Sequence, residues 1–492
     1  MKVNLNPFVE HNPIVAALIQ DLALSPTNFK SAIAASDEMF LYPWQELEDQ
    51  NSDRTLLNYF TLGRAIFNGL EQIVRWHFGE FSQIDRFLDF ACGYGRLTRF
   101  LIQALSPEKI WVSDIYREAV EFQAAYFGVQ GFHSASQPEN YHLNQTFDCI
   151  LAGSFFSHMP ERTFTPWMQT LYELLTPGGI LIFSVLGEEI LPAHVSMPST
   201  GILFSSDTSE SQSLDKEDYG TTYVTEAFVR RVVEQVSQGQ ASVVKIPRGM
   251  CHYQDFYVIS PSYLQGAQTL NFHHQPEGYL DSCTVDLTGT IHLRGWAVDF
   301  NPQGQIEQVE IWSQGQQMTQ THPTEPRPDL REHFGNPNLP LDAGWSCIIS
   351  LKRLSPEAIV LIRIVNTAGL ASIIAAMPIK TLMARQRILN ELSRSQNNVQ
   401  QTQAQLSATH EKLAYLQGHL DHAQQTLEQS RHKLLTTEQR LGATQAQLLA
   451  TEAALAQTQN QVQAMASSKF WKLRTKWFKL RRAMGLSDNE PI

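Results

Sequence analysis

Apolar positions along this chain follow three different periods, and each marks a different kind of element. Over residues 1–84 the spacing is helical: Ile14, Ala17, Leu18 and Leu22 share a face, and a longer amphipathic run extends from Leu56 to Phe78. This predicts a helical lead-in. From residue 85 to 265, short apolar runs alternate with helical ones. Phe87-Leu88-Asp89-Phe90, Lys109 to Asp114, Thr146 to Ser154, Ile180 to Val185, Val243 to Ile246 and Asp255 to Ile259 read as strands, with a weaker one near Gly131 to Ser134. Helices are expected from Arg96, over Glu161 to Leu175 up to the breaking turn Thr176-Pro177-Gly178-Gly179, and over Thr225 to Val236. The pattern predicts an α/β domain on a seven-stranded sheet. Gly187 to Gly220 has little periodicity and reads as a lid or substrate loop.

Beyond the linker, residues 278–380 change to short alternating runs between turns, which predicts a small all-β sandwich. Residues 383–466 change period again. Leu392, Val399, Leu406, Leu413, Leu420, Leu427, Leu434, Leu441, Leu448, Leu455 and Val462 fall on an unbroken seven-residue spacing, while positions three further on are mostly small or polar. A long α-helical coiled coil follows, extending roughly 100 Å at ~1.5 Å per residue. Residues 467–486 close with a basic amphipathic tail helix; Ser468 to Met484 holds seven Lys or Arg and no acid.

Composition narrows the function classes. A hydrophobic content of 43% in 492 residues supports packed cores in two to four domains. The five cysteines are scattered without a C-x-x-C pair, so neither a disulfide framework nor a metal site is expected, and a reducing compartment fits. The formal charge of −12 disfavours general nucleic-acid binding, although the average conceals the basic tail. No apolar run is long enough for a signal peptide or a membrane span.

Chemistry concentrates where the first strand of the α/β domain ends. Asp89 precedes Ala91-Cys92-Gly93-Tyr94-Gly95, a small-residue turn between strand and helix. Two glycines without Cβ let backbone approach a ligand closely, although a glycine turn also serves as plain structural punctuation. Gly93-x-Gly95 is not followed by the third glycine of a dinucleotide fingerprint, and no Gly-Lys-Ser/Thr follows for a phosphate loop. Asp114, 25 residues after Asp89, ends the second strand. An acid there accepts hydrogen bonds from both ribose hydroxyls, or caps the following helix. His158 lies in the loop after the fourth strand, as a candidate general base or as a histidine held by backbone.

The turn resembles motif I of class I S-adenosylmethionine-dependent methyltransferases, D-x-G-C-G-x-G, with Ala91 in place of the first glycine. Asp114, the run Phe147-Asp148 to Ser154, Phe156, His158 and Pro160, and Leu175-x-Pro177-Gly178-Gly179 resemble further motifs of that family in the right order. The resemblance implies a Rossmann-like methyltransferase domain over 85–265, covered by residues 1–84. It implies S-adenosylmethionine as cofactor, held by Asp89, Ala91, Cys92, Gly93, Gly95, Asp114 and Ser154, with Gly63 and Arg64 of the lead-in beside its carboxylate, and no metal. The sandwich is similar to small β-domains appended to bacterial glycan-modifying enzymes, through Gly295-Trp296-Ala297-Val298-Asp299, Arg327-Pro328-Asp329 and Gly344-Trp345. Trp296, Trp312 and Trp345 are candidates for stacking on sugar rings, or for core.

The order of parts is similar to enzymes of bacterial surface-polysaccharide assembly. It implies O-methylation of a glycan or lipid-linked saccharide by a homo-oligomer joined through the coil, with the tail in peripheral contact with the inner face of the plasma membrane from the cytoplasmic side. A methyltransferase for a soluble small metabolite, and a non-catalytic coiled-coil scaffold with a vestigial cofactor fold, are the alternatives.

Overall fold

The computed structural model describes residues 9, 11–22, 29–41, 52–192, 194–206, 214–264, 270–415 and 421–467. The basic tail lies outside the described residues, as does the middle of the Gly187 to Gly220 stretch. Two helices open the chain. α1 (Pro13–Asp21) starts at Asn12, whose side chain accepts from the Ile14 amide, and proline at the first helical position forfeits no bond. α2 (Ser52–Phe78) buries Leu56, Tyr59, Phe60, Gly63, Phe67 and Leu70 along one face.

The α/β domain follows as β1 (Phe87–Phe90), α3 (Thr98–Leu101), β2 (Ile110–Asp114), α4 (Arg117–Phe127), β3 (Gln130–His133), β4 (Phe147–Ala152), α5 (Glu161–Glu173), β5 (Leu175–Gly187), β6 (Ile202–Ser205), β7 (Thr221–Val224), α6 (Glu226–Ser237), β8 (Ser242–Met250) and β9 (Gln254–Ser260). Strands run in the order β3-β2-β1-β4-β5, parallel, with β9 antiparallel to β5 and β8 outside it. β1 therefore sits at the switch point, where crossovers leave in opposite directions and open a crevice at the strands' carboxyl ends.

Four expectations are corrected here. The sheet has nine strands, not seven, because β5 runs on for 13 residues and its last two, Leu186 and Gly187, pair with β7, which pairs in turn with β6. The stretch read as an unstructured loop thus holds a strand of its own. β5 also begins at Leu175, before the proline-glycine turn, which becomes a bulge: Phe147 faces Leu175 while Cys149 faces Ile180. α3 is a single turn, since after Leu101 the backbone tightens to bonds from Gln103 to Phe100 and from Ala104 to Leu101.

The second unit contains β10 (Glu277–Val285), β11 (Thr290–Val298), β12 (Ile306–Ser313), β13 (Gln316–Thr321), β14 (Glu325–Pro326), α7 (Asp329–His333), β15 (Asp342–Ser350), β16 (Ile359–Asn366) and β17 (Ala371–Pro378). They form two four-stranded antiparallel sheets, β10-β11-β15-β14 and β13-β12-β16-β17, around Leu293, Ile311, Trp345 and Ile362. Trp345 and Trp296 are buried, and Trp312 is covered by the Arg363 guanidinium at 4.7 Å. These tryptophans are core and interface, not exposed platforms for sugars.

The two units are joined by polar contacts. Arg363 reaches Glu310 at 2.6 Å and Asp21 of α1 at 3.6 Å. Gln72 of α2 donates to the His273 carbonyl and accepts from its amide. Asn301 of the sandwich reads the backbone of His274 in the same two-way manner. Burial, reinforced by His252, Arg248 and His273, pushes the His274 pKa down to about 3. Unfolded, this ring titrates near its ordinary 6.5, so between pH 6.5 and 3 the unfolded chain binds the extra proton. The stabilisation from a neutral His274 is complete above pH 6.5 and is lost as pH falls toward 3, at up to ~1.4 kcal/mol per pH unit. Denaturant unfolding across that window is expected to show this slope in the parent and a flatter one in His274→Gln; equal slopes would contradict it.

Past the sandwich, α8 (Ile379–Tyr415) and α9 (Asp421–Ser467) occupy the stretch expected as a coiled coil over 383–466, and residues 416–420 between them lie outside the described residues. α8 starts in the sandwich core through Ile379 and Leu382. Gln459 of α9 lines a cavity at the globular body, so this helix comes back to it. Leu392, Val399, Leu406, Leu434, Leu441, Leu448 and Leu455 are exposed. Thr402, Thr437, Thr444, Thr451 and Thr458, on the second seam, return their hydroxyls to the carbonyl four residues back. Among the described residues, no helix is long and apolar enough to cross a membrane.

Candidate active site

The turn after β1 is shaped by the end of β2. Amides of Ala91 and Cys92 donate to the Ser113 carbonyl at 2.8 and 3.3 Å, folding the chain back over the neighbouring strand. Ala91, Gly93 and Gly95 all take positive φ, of 58°, 58° and 84°. At Ala91, an L-residue in this region costs roughly 1–2 kcal/mol, which glycine in that place would avoid. Gly95 is required by packing as well, since a Cβ there would stand 2.3 Å from the Phe127 ring of α4.

Asp114 locks the turn. One carboxylate oxygen accepts from the Gly93 amide at 3.0 Å and the other from Tyr116 at 2.9 Å, with the whole side chain buried. The carboxylate thus touches the glycine turn and also holds the backbone at Tyr116, where the chain enters α4. Asp89 is buried at the carboxyl end of β1, between Val112 of β2 and Leu151 of β4. Cys92 is buried too, and Gln123 of α4 donates to its Sγ at 3.0 Å and to the Gly93 carbonyl at 2.7 Å.

Ser154, two residues past the end of β4, has φ 54°; its amide donates to Ser184 Oγ of β5, and its hydroxyl accepts from Gln254 of β9. His158 is sealed beneath the segment before β7. Its Nδ1 stands 2.5 Å from the Gly220 carbonyl and its ring stacks on Tyr219 with centroids 4.7 Å apart. A carbonyl only accepts, so Nδ1 carries a proton.

The lead-in residues divide. Gly63 reaches the turn: a Cβ there would meet the Arg96 carbonyl at 2.4 Å, so its lack of side chain lets α2 approach the backbone just past Gly95. Arg64, next along the helix, lines a cavity on the sandwich side and is not brought to the turn. Arg99 and Gln123, which no sequence signal singled out, do reach it. Arg99 is completely buried, and its Nε donates to the Gly95 carbonyl at 3.1 Å. Among the described residues, no group of three or more His, Cys, Asp or Glu could hold a metal.

An open α/β sheet, a left-handed glycine turn at its switch point and a carboxylate at the end of the adjacent strand define a Rossmann-like nucleotide-type site. Residues 88–181 match the family model of a methyltransferase domain. A curated relative, the malonyl-[acyl-carrier protein] O-methyltransferase of Calditerrivibrio nitroreducens, is 25% identical over 120 residues, 24% of this chain and 46% of the relative. The match therefore spans less than half of that relative's length. Among solved structures, an S-adenosylmethionine-dependent methyltransferase from Clostridium acetobutylicum aligns over 45% of this chain and 97% of its own at 16% identity and a TM-score of 0.29. An O-methyltransferase family protein from Burkholderia thailandensis aligns over 50% and 71%, at 16% identity and a TM-score of 0.29. The donor set fits S-adenosylmethionine. The Asp114 carboxylate stands at the glycine turn, where an acid is the residue type that accepts from ribose hydroxyls, and Gly93 and Gly95 themselves carry no Cβ.

Proposed function

We propose that this chain is an S-adenosylmethionine-dependent methyltransferase that methylates an oxygen of a glycan, either a surface polysaccharide or a lipid-linked saccharide. The observation that carries the reading is the Gly93 amide bonded to the Asp114 carboxylate inside a stretch similar to methyltransferase domains. When bound, S-adenosylmethionine supplies a methyl group already activated by its sulfonium charge. What is left to the protein is to place the acceptor oxygen in line and to exclude water. Asp114 holds the ribose, and the turn supplies close backbone contact.

A hydroxyl is a poor nucleophile until its proton leaves, and His158 is the base in this reading. The Nδ1 bond to Gly220 and the stack on Tyr219 fix the orientation of the ring. His158→Ala is expected to lower kcat by about 10²–10⁴-fold, with S-adenosylmethionine affinity unchanged by calorimetry. Full turnover in that variant removes His158 from the mechanism.

The same proposal takes the seven-residue leucine stripe of α8 and α9 as a seam for homo-oligomerisation, supported by its exposure in the single chain. It takes Ser468 to Met484 as a contact with anionic membrane at the cytoplasmic face, supported by seven cations without an acid. A monomer in light scattering would count against the first, and absence of co-sedimentation with anionic vesicles against the second.

A further inference from the structure

α2 has two faces of different character. Tyr59, Gly63, Phe67 and Leu70 turn inward, while Asn58, Arg64, Asn68 and Gln72 line a cavity of about 1100 Å³ shared with the sandwich. The opposite walls come from the turn joining β8 to β9, through Gly249, Cys251 and His252, and from Tyr279 and residues 371–377 of the sandwich. Since β9 runs antiparallel to β5 and Asp255 pairs with Val185, that turn stands at the carboxyl edge of the sheet. One end of the cavity reaches Arg96, the residue after Gly95, and Tyr59. It thus abuts the proposed methyl-transfer site and continues outward between the two units.

Arg64 is the informative residue in it. Its guanidinium stacks on the Phe67 ring at 5.3 Å, which leaves the N–H edges directed away from that face. The nearest acid along the helix, Glu71, is taken by Arg75 at 2.9 Å. Among the described residues Arg64 has neither a hydrogen bond nor an ion pair, although burial removes water enough to depress its pKa from the ordinary arginine value. Glu71 attracts Arg64 only at a distance, without an ion pair, so the desolvation of the cation is answered in part, and an anion offered by a ligand offsets the rest through a planar, two-pronged contact. The carboxamides of Asn58 and Asn68 in the same lining suit hydroxyl groups, each offering donor and acceptor. The volume exceeds the ~300–1,000 Å³ usual for a compact small-molecule pocket, as an extended ligand requires.

We propose that this cavity receives the acceptor, and that the acceptor is a saccharide bearing a phosphate or a carboxylate whose anion is held by Arg64. This rests on the methyltransferase reading above. It assigns the sandwich a role as the outer wall of the acceptor site, and it makes Arg64 an acceptor-binding residue instead of a cofactor-binding one.

The test is calorimetric titration of the full chain, saturated with S-adenosylhomocysteine, with glucose 1-phosphate, glucuronate, glucose and inorganic phosphate. The parent, Arg64→Gln and a control, Arg230→Gln on α6, are compared. At least one anionic sugar is expected to bind the parent, and binding is expected to weaken about 10- to 100-fold in Arg64→Gln, as loss of a charge-assisted contact predicts. Glucose is expected to bind weakly to all three chains. S-adenosylhomocysteine affinity and the unfolding midpoint should match in the three. Preference for glucose 1-phosphate or for glucuronate distinguishes the two anions. The proposal is overturned if neither anionic sugar binds, or if both bind Arg64→Gln as tightly as the parent. It is overturned also if inorganic phosphate binds as tightly as the sugars, or if Arg64→Gln loses S-adenosylhomocysteine. Failure of the parent to bind S-adenosylhomocysteine at all instead removes the methyltransferase reading, and sugar titrations without it still report on the cavity.

Discussion

Asp114→Ala is expected to abolish measurable S-adenosylmethionine binding and to lower the unfolding free energy by about 2–6 kcal/mol. Two buried amides, of Gly93 and Tyr116, depend on this carboxylate. Removing it leaves both donors without an acceptor where water does not reach, at about 1–3 kcal/mol each. The affinity loss has a second origin: the ribose loses its acceptors, and the turn that brings backbone to the ligand loses its lock. Asp114→Asn keeps the volume and one acceptor, so its stability is expected to fall by about half as much, while affinity still drops because an amide nitrogen faces a donor. Denaturant unfolding with calorimetry of cofactor binding checks both. An alanine variant as stable as the parent, or binding as tightly, would show that Asp114 locks nothing.

Arg99→Met is expected to cost about 3–5 kcal/mol, the range for breaking a buried charged network. Its Nη1 donates to the Lys30 and Ala32 carbonyls at 2.8 and 3.2 Å, its Nη2 to Tyr59 Oη at 3.2 Å, and its Nε to Gly95. The rings of Tyr59, Phe60 and Phe127 surround the guanidinium at 5.2 to 5.5 Å. Tyr59 in turn donates to Asp37 at 2.6 Å, so the positive charge is answered by a carboxylate through a phenol. One side chain therefore ties residues 30–37 and α2 to the glycine turn. Methionine fills the volume but satisfies none of these acceptors, and lysine lacks the planar fork, so Arg99→Lys is expected to recover only part of the loss. Hydrogen exchange in residues 29–41 should rise by a larger factor than in β4 or β5. Uniform exchange changes across the domain would mean that Arg99 supports the fold generally and does not clamp this segment.

The contrast between Asp114 and Arg99 explains what was legible in the residues alone. Asp114 ends a short apolar run one strand-helix-strand unit after Asp89, and that local spacing suffices to assign it to the carboxyl edge of the sheet. Arg99 follows Thr98 in a run that reads as an ordinary amphipathic helix, where an arginine is expected on the wet face. Its burial depends on segment 29–37 and on Phe127 arriving from elsewhere in the chain, and no local pattern encodes that arrival. β6 and β7 escaped notice for a similar reason. Four-residue strands among polar residues carry too little alternation to stand out, and they are strands here because the end of β5 projects far enough to pair with them. Gly63 and Arg64 show the same limit at finer scale: adjacent on a helix, they have different surroundings, and which of them meets the turn is decided by packing.

Local physical chemistry determined the strand ends, the left-handed glycine turn and the seven-residue leucine stripe, because each depends on neighbours within a few residues. Tertiary structure alone decided that Asp114 closes onto Gly93, that His158 lies under Gly220 and Tyr219, and that the tryptophans of the sandwich are core. It decided also that Arg64 faces a cavity walled by a second domain. These outcomes join residues from 21 to more than 300 positions apart. Their energies come from burial and from paired donors and acceptors that exist only once the chain has closed on itself.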